Sequence, residues 1–287
     1  MNSQEWENKG FYIKAFNKEV FVIDAGNNKT NTLLMLHDYA TSSFDYYKTL
    51  EKLSKHYRVV LIDLIGFGNS DKPLDEYFTI IQQTDIVLET IKILQIKKLT
   101  LFGHGYGAHI LNEIIVRKNL EQIELSIEKF IFCNLHMKIN PAKITFSQLK
   151  TFIQIQKMPI AMLSSVGIYK KKIKELFFNS EKISDNELEQ MWNLMQKKSG
   201  NHVINYFSNY IEERNTFWNR WYRALRNSKM AIKMISSKDS PIALPEMSEI
   251  ISNEIPDNKI LWINNSGHFP MLENPEELVE LILKDRK

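Results

Sequence analysis

The stretch Leu101-Phe-Gly-His-Gly-Tyr-Gly-Ala108 decides the fold of this chain. The apolar run Lys98–Phe102 leads into it and predicts a strand buried on both faces, while Ala108–Arg117 predicts a helix behind it. A strand that turns sharply into a helix between closely spaced glycines is typical of a nucleophile elbow, which presents one side chain at its tip. The tip is residue 105, and the glycine at this position has no side chain with which to attack a substrate.

Strand and helix patterns alternate on both sides of this turn. Apolar and β-branched runs predict a two-stranded hairpin at Phe11–Phe16 and Val20–Asp24. Similar runs predict further buried strands at Thr32–Leu36, Tyr57–Ile62, Lys98–Phe102, Lys129–Cys133, Ala231–Ile235 and Lys259–Ile263. Apolar residues at helical spacing predict further helices at Phe44–Ser54, Thr79–Leu94 and Pro275–Leu283. This alternation favours an α/β fold with a mainly parallel sheet covered by helices on both faces.

The alternation breaks between about Pro141 and Ala224. This segment is rich in Lys, Met and aromatic residues, has helical periodicity and contains no convincing strand. A helical block inside an α/β alternation is better explained as an insertion than as a separate domain. We therefore predict one domain, with an α/β core at 1–140 and 226–287 and a helical cap at 141–225.

The composition excludes several kinds of protein. Thirty-seven Lys and Arg against 34 Asp and Glu leave a formal net charge of +3 over 287 residues, too even to attract nucleic acid by charge alone. The single cysteine, Cys133, excludes an internal disulfide and a cysteine-built metal site. The polar start lacks the features of a signal peptide, and no apolar run reaches the roughly 18–20 residues that span a bilayer. We expect a cytoplasmic protein with no cofactor, metal, nucleic-acid partner or transmembrane segment; the oligomeric state stays open.

The candidate site residues follow the predicted strands, because ligands of open α/β sheets bind beyond the carboxyl ends of the strands. Asp239 follows one late strand and His268 follows the next. An acid and then a histidine after the elbow is the order of the α/β-hydrolase triad. We expect Asp239 and His268 to be hydrogen-bonded to each other, and Asp38 and Asn134, which each follow another strand, are candidates for polar support.

Several stretches resemble the α/β-hydrolase superfamily, in particular the mesoderm-specific transcript group, which is close to epoxide hydrolases and haloalkane dehalogenases. The resemblance extends from about Leu33 to near the C-terminus and includes the cap segment Glu187 to Leu225. Its motifs are Leu36-His-Asp-Tyr-Ala-Thr-Ser-Ser-Phe-Asp-Tyr-Tyr-Lys48, Gly66-Phe-Gly-Asn-Ser-Asp-Lys-Pro73 and Ser266-Gly-His-Phe-Pro-Met-Leu-Glu-Asn-Pro275. The resemblance implies an α/β-hydrolase fold with an inserted helical cap that roofs the site.

Two positions depart from that group. Its elbow carries His-Asp-Tyr-Gly with the Asp as nucleophile, whereas this chain has glycine at position 105, between His104 and Tyr106. Its oxyanion loop carries His-Gly-Phe-Pro, whereas this chain has Asp38 before Tyr39. The resemblance implies that backbone N–H groups near Tyr39 and Tyr106 bind the anion, and an inward-pointing Asp38 opposes negative charge there.

Three functions fit these residues. The first is a degenerate hydrolase, without a nucleophile at Gly105, that keeps a pocket for a small apolar ligand. The second is an active ester or epoxide hydrolase in which the His268–Asp239 pair activates a water held in the space beside Gly105; haloalkane dehalogenation is less expected, because it needs a carboxylate at position 105. The third is a non-catalytic interaction protein that uses its cap surface.

Overall fold

The computed structural model describes residues 1–26, 29–76, 78–137, 165–200, 209–255 and 258–284. Its strands are β1 (Phe11–Ala15), β2 (Lys18–Ala25), β3 (Thr32–Leu36), β4 (Arg58–Ile62), β5 (Lys98–His104), β6 (Ser126–Cys133), β7 (Ala231–Ser237) and β8 (Ile260–Ile263). They form one eight-stranded sheet in the order β1-β2-β4-β3-β5-β6-β7-β8. All neighbours from β4 to β8 in this order are parallel, whereas β2 is antiparallel to both β1 and β4. The expected α/β fold with a mainly parallel sheet is confirmed.

The helices cover the sheet and carry the polar residues discussed below. They are α1 (Ser3–Glu7), α2 (Leu50–Ser54), α3 (Ile80–Ile93), α4 (Tyr106–Asn119), α5 (Val166–Lys174), α6 (Asp185–Gln196), α7 (Tyr210–Arg226), α8 (Pro245–Ser252), α9 (Pro270–Glu273) and α10 (Pro275–Leu283). Within the residue ranges given above, no helix combines the length and the apolar character needed to cross a membrane.

The predicted helix over residues 44–54 is divided in two. A 3₁₀ turn at Ser43–Tyr46 precedes α2. The turn faces inward: the hydroxyl of Tyr46 donates to the Leu36 carbonyl at 2.9 Å, and Asp45 accepts a hydrogen bond from Thr41 at 2.6 Å. These hydrogen bonds hold the 3₁₀ turn against the end of β3 and the loop after it. Polar contacts, and not one continuous apolar helical face, therefore determine how residues 43–54 pack.

The described part of the predicted cap is helical. It contains α5, α6 and α7, and no strand lies between residues 165 and 200 or between 209 and 226. Residues 141–164 and 201–208 of the predicted cap lie outside the described residues, so its boundaries at 141 and 225 stay a prediction.

A buried lysine joins this helical segment to the core. The ammonium of Lys72, in the loop after β4, donates to the carbonyls of Gly68, Leu194 and Lys197, the last two at 3.2 and 2.8 Å. Leu194 and Lys197 lie at the C-terminal end of α6, where unpaired carbonyls attract a cation. Burial lowers the pKa of Lys72 to about 7, so this link carries less charge than a surface lysine would.

Candidate active site

The turn between β5 and α4 is as tight as the glycine spacing predicts. Gly105 has φ +48° and ψ −106°, a backbone conformation that side chains other than glycine seldom adopt. A Cβ atom on Gly103 would lie 2.6 Å from the Gly107 carbonyl oxygen, and one on Gly107 would lie 2.6 Å from the Leu36 carbonyl oxygen. Both distances are too short for a real contact, so the flanking glycines allow the strand and the helix to meet.

The space beside Gly105 is filled by the carboxylate of Asp38. A Cβ atom at position 105 would overlap Oδ1 of Asp38 and lie 2.6 Å from Oδ2. Oδ1 accepts the backbone N–H of Tyr106 at 2.5 Å, and Oδ2 lies 2.7 Å from Nε2 of His268. Asp38 is only 5% exposed. A carboxylate therefore lies where an elbow side chain would lie, although it comes from the loop after β3.

The loop that carries Asp38 is held from several sides. Nε2 of His37 accepts the Leu64 N–H at 3.0 Å, which leaves the proton on Nδ1 to donate to the Asp38 carbonyl at 2.7 Å. The hydroxyl of Thr41 lies 3.1 Å from the same carbonyl. The chain then turns at Ala40, whose φ is +62°. These contacts fix the backbone on both sides of the Asp38 side chain and point it at the elbow.

Asp38 is ionised in this position. Burial alone would raise its pKa, but the hydrogen bond and the electrostatic attraction from His268, with smaller contributions from His104 and His136, outweigh burial and hold the pKa well below its ordinary value. A buried carboxylate that receives one backbone N–H and one imidazole N–H has both oxygens satisfied. The pair is therefore a stable, charge-assisted contact as well as a candidate reactive centre.

This lowered pKa predicts an acid-dependent loss of stability. Because the pKa of Asp38 is lower in the folded chain than in the unfolded one, its contribution is complete above the unfolded value of about 4 and is lost as the pH falls toward the folded value. We expect the free energy of unfolding to fall less steeply below pH 4 in Asp38→Asn than in the unmodified chain, since an amide does not titrate. Urea unfolding at pH 3, 5 and 7 measures this difference. Parallel curves for the two chains would contradict it, and Asp239→Asn, at an exposed carboxylate, is the matched control.

His268 is fully buried, and it contacts residues of the α/β core and of the predicted cap. Its Nδ1 lies 3.2 Å from the hydroxyl of Ser240, and its backbone N–H donates to the Leu176 carbonyl at 2.7 Å. Its carbonyl accepts hydrogen bonds from Nε2 of His104 at 2.8 Å and from the amide of Asn134 at 2.9 Å. Asn134 thus supports the histidine loop through the backbone, and His104 has the same kind of contact.

The expected Asp239–His268 contact is wrong in this structure. Asp239 is exposed, and within the described ranges no hydrogen bond or ion pair joins it to His268. The next residue, Ser240, faces the imidazole instead. β7 continues to Ser237, two residues beyond the predicted strand end at Ile235, and the turn that follows presents Ser240 rather than Asp239 to the imidazole.

Among the described residues, the structure has no space for the water molecule that was expected beside Gly105. The Asp38 carboxylate fills it, and the Tyr106 N–H that was expected to bind a substrate anion donates to Asp38. The inward orientation considered for Asp38 is therefore the one found. Tyr39, the other expected anion-binding position, is buried beside it with its ring 6.3 Å from that of Tyr106.

A group of buried and partly buried rings adjoins the Asp38–His268 pair. The ring of Tyr210, at the start of α7, lies 4.9 Å from that of Tyr39 and 5.0 Å from that of Tyr106. His109, one turn along α4, lies 6.4 Å from Tyr210 and 5.3 Å from His136, which in turn lies 6.4 Å from His268. We call Tyr39, Tyr106, His109, His136 and Tyr210 the ring cluster.

The ring cluster is polar as well as aromatic. Both ring nitrogens of His109 are buried and have no hydrogen-bond partner in the described structure. Burial lowers the pKa of His109 to about 3, so the ring is neutral with one donor and one acceptor. Burial raises the pKa of Tyr210 far above its ordinary range, so this hydroxyl keeps its proton. Such groups supply hydrogen bonds to a small molecule that carries little or no charge.

Sequence reasoning missed Ser240 and Glu273. Glu273 is buried and accepts the backbone N–H groups of Gly267 and Asn179, each at 2.7 Å, so it holds the histidine loop against the helical segment. A glutamate five residues after His268 in a Pro-rich stretch is the available signal, but its partner at Asn179 is 94 residues away in the chain. Ser240 offered no signal that separates it from an ordinary turn serine.

One group of residues has the composition of a metal site. A ligand atom of each of Asp38, His104 and His268 falls within 4.8 Å of the others. The Asp38 oxygens, however, already bind Tyr106 and His268, and Nε2 of His104 is bound to the His268 carbonyl. These contacts fit a hydrogen-bonded pair better than a set of ligands that surround an ion.

Comparisons with known proteins agree with this fold. A profile of the alpha/beta hydrolase family matches residues 33–281. The mesoderm-specific transcript homolog protein from Bos taurus is 27% identical over 284 residues, which cover 94% of this chain and 83% of that protein. Epoxide hydrolase 1 from Caenorhabditis elegans is 25% identical over 71% of this chain and 53% of its own length. The solved meta-cleavage product hydrolase from Pseudomonas fluorescens superposes with a TM-score of 0.78 at 15% identity, covering 96% of each chain, and at that identity it shows the fold alone.

Proposed function

The chain belongs to the alpha/beta hydrolase family, and from this premise we propose that it is a hydrolase whose reactive pair is Asp38 and His268. The single observation that carries this proposal is the location of the Asp38 carboxylate. It lies in the space that a side chain at position 105 would occupy and contacts both the first N–H of α4 and the imidazole of His268.

The contacts of Asp38 support a role in the reaction, beyond filling the space beside Gly105. An apolar side chain would fill the space beside Gly105 without the cost of burying a charge, which is several kcal/mol for an ion in a protein interior. Here an ionised carboxylate is retained next to an imidazole, the combination that activates water or attacks an electrophile. The sequence departure at position 38 therefore compensates for the one at position 105.

The surroundings support a small, mostly uncharged substrate. The ring cluster lies beside the reactive pair and offers aromatic faces together with the neutral imidazole of His109. Aromatic walls with a few polar groups are typical of pockets for small organic molecules. An ester or an epoxide meets this description, and both remain substrates of the proposed enzyme.

Hydrolysis assays test the proposal. The purified chain, Asp38→Asn, His268→Gln and Asp239→Asn are compared on p-nitrophenyl butyrate and on styrene oxide. We expect turnover by the unmodified chain and by Asp239→Asn, and turnover at background level in the other two variants, because only Asp38 and His268 form the pair. Silence of the unmodified chain on both substrates, or loss of activity only in Asp239→Asn, would overturn the proposal.

A degenerate hydrolase is the second candidate, and one observation favours it. The Tyr106 N–H and Nε2 of His268, the two groups that act on a substrate in this fold, are already bound to Asp38. In that case Asp38 blocks the site, and the chain binds small apolar molecules beside the ring cluster without converting them. Ligand-induced thermal stabilisation without product formation distinguishes this candidate. A non-catalytic role of the cap surface stays a prediction from the sequence.

A further inference from the structure

We propose that a cleft between the C-terminal ends of α4 and α7 binds amphiphilic anions, in which one carboxylate is attached to an alkyl chain. The cleft has a volume of about 700 Å³, and residues at the ends of both helices and in the turn before β7 line it. We call it the helix-end cleft. Since α4 has 14 residues and a helix rises 1.5 Å per residue, the cleft lies about 20 Å from Gly105, at the opposite end of α4. It is therefore separate from the Asp38–His268 pair.

The rim of the helix-end cleft carries an excess of positive charge. Lys118, Arg223 and Lys229 line the cleft, and none of them forms an ion pair with a carboxylate of the described residues. The arginines beside them are paired: Arg117 with Asp85, Arg220 with Glu113 and Arg226 with Glu254. Glu121 is the one acid of the described lining. Three cations against one carboxylate give this small surface a positive potential, in a chain whose formal net charge is only +3.

The floor of the helix-end cleft is apolar. Val116 and Ala224 are 5% and 6% exposed and lie where the two helices meet. Leu120 adds an apolar side chain that is 56% exposed, and Met230 adds a partly buried one. A volume near 700 Å³ is in the usual range of small-molecule sites, about 300–1,000 Å³. An inorganic anion would use the cations alone, whereas an alkyl chain also covers the exposed Leu120 side chain.

The helix ends themselves do not oppose an anion as strongly as helix C-termini usually do. The last carbonyls of a helix carry partial negative charge when they have no partner. Here the side-chain amide of Asn119 donates to the Ala224 carbonyl at 2.9 Å, from α4 to α7. The backbone N–H of Asn227 donates to the Arg223 carbonyl at 3.1 Å. Because these carbonyls are occupied, the side-chain cations determine the sign of the potential in the cleft.

The basic residues favour a carboxylate as the anionic group. The planar guanidinium of Arg223 offers parallel N–H donors that match the two oxygens of a carboxylate, and Lys118 and Lys229 add point charges. The apolar floor lies between two helices, so the alkyl chain of the ligand has to enter the cleft to reach it. A free amphiphile can do this, whereas the chains of a bilayer lipid stay in the membrane. The occupant is therefore a free alkyl carboxylate.

Calorimetric titration of the full chain with decanoate tests the ligand class. We expect saturable binding of one decanoate, and binding of decanol and of butyrate that is weaker by at least about fivefold, because decanol lacks the charge and butyrate lacks most of the chain. Absence of decanoate binding would overturn the proposal. Equal affinity for decanol would do so as well, since the cations would then have no role, and equal affinity for butyrate would show that the apolar floor has none.

Substitutions at the helix-end cleft test the location. We expect Arg223→Gln/Lys229→Gln and Leu120→Asn each to weaken decanoate binding by at least about threefold. Arg226→Gln, in the same helix but paired with Glu254, and Leu74→Asn, also 56% exposed, are the matched controls and should bind decanoate as the unmodified chain does.

Unchanged affinity in both cleft variants would mean that decanoate binds elsewhere and would overturn the proposal. Sedimentation with phosphatidylglycerol vesicles, measured on the same variants, distinguishes a membrane surface as the partner. Loss of vesicle binding in Arg223→Gln/Lys229→Gln, with decanoate affinity unchanged, would overturn the free amphiphile as the occupant.

Discussion

Placing aspartate at position 105 should destabilise this chain by at least about 3 kcal/mol, and removing the carboxylate at position 38 at the same time should recover most of that loss. The side chain of Gly105→Asp would overlap Asp38 and bring a second buried carboxylate against the first. The positive φ of residue 105 adds strain of about 1–3 kcal/mol for a side chain other than glycine. The overlap and the repulsion disappear in the double variant Asp38→Gly/Gly105→Asp, so only the strain remains.

Urea unfolding of the two single variants and the double variant measures this coupling as a double-mutant cycle. We expect the double variant to be more stable than Gly105→Asp by at least about 2 kcal/mol, because it removes a like-charge contact of the buried type. Gly105→Ala is the control that adds a Cβ atom without a second charge. Free energies of the two single substitutions that simply add up would show that the positions do not share one space.

Removing the carboxylate of Glu113 should destabilise the chain by about 1–3 kcal/mol, because the buried indole N–H of Trp221 loses its acceptor, whereas Arg220 is 40% exposed and regains water. Glu113 is 2% exposed in α4 and binds residues of α7: Arg220 at 2.9 Å and the indole N–H of Trp221 at 3.2 Å. Trp221 in turn stacks on His109, with ring centres 5.6 Å apart. Glu113→Ala leaves Arg220 without its partner and the buried indole N–H without an acceptor.

A surface glutamate provides the control for this substitution. Glu189 pairs with Lys170, but its side chain is 42% exposed, so Glu189→Ala should cost less than about 1 kcal/mol. Urea unfolding at neutral pH compares the two alanine variants. Equal losses would mean that the contact between α4 and α7 contributes no more than an exposed pair. A selective loss in Glu113→Ala would show that this contact holds the helix that carries Tyr210 against the elbow helix.

The sequence predicted the sheet well because its strands are apolar without interruption. All five residues of β3 are buried, as expected for a strand that is covered on both faces. The observed bounds of β3 are the predicted ones. The division of the segment at residues 43–54 was missed because polar side chains, not an apolar stripe, determine it. Patterns of hydrophobicity carry no information about such anchors.

The sequence identified several residues of the candidate site but did not predict the contacts between them. Asp38 and Gly105 were each recognised as a departure, but only the pairing of β3 with β5 brings the loops after them together. Asp239 was chosen because an acid is expected before the histidine in the triad order, whereas in the structure Ser240 contacts His268. Glu113 and Arg220 are 107 residues apart in the sequence, so no local pattern predicts the contact between their helices.

The shared space beside Gly105 also constrains how such a chain arises from a relative with aspartate at the elbow. Because one volume accommodates one carboxylate, an ancestor with aspartate at both positions is destabilised by overlap and by repulsion between the two buried charges. The routes that keep more stability therefore pass through a chain with glycine at both positions, which has no acid at this site, or through a compensated pair acquired together. We therefore expect two kinds of homologue with glycine at the elbow, distinguished by whether an acid follows the histidine of the loop after β3.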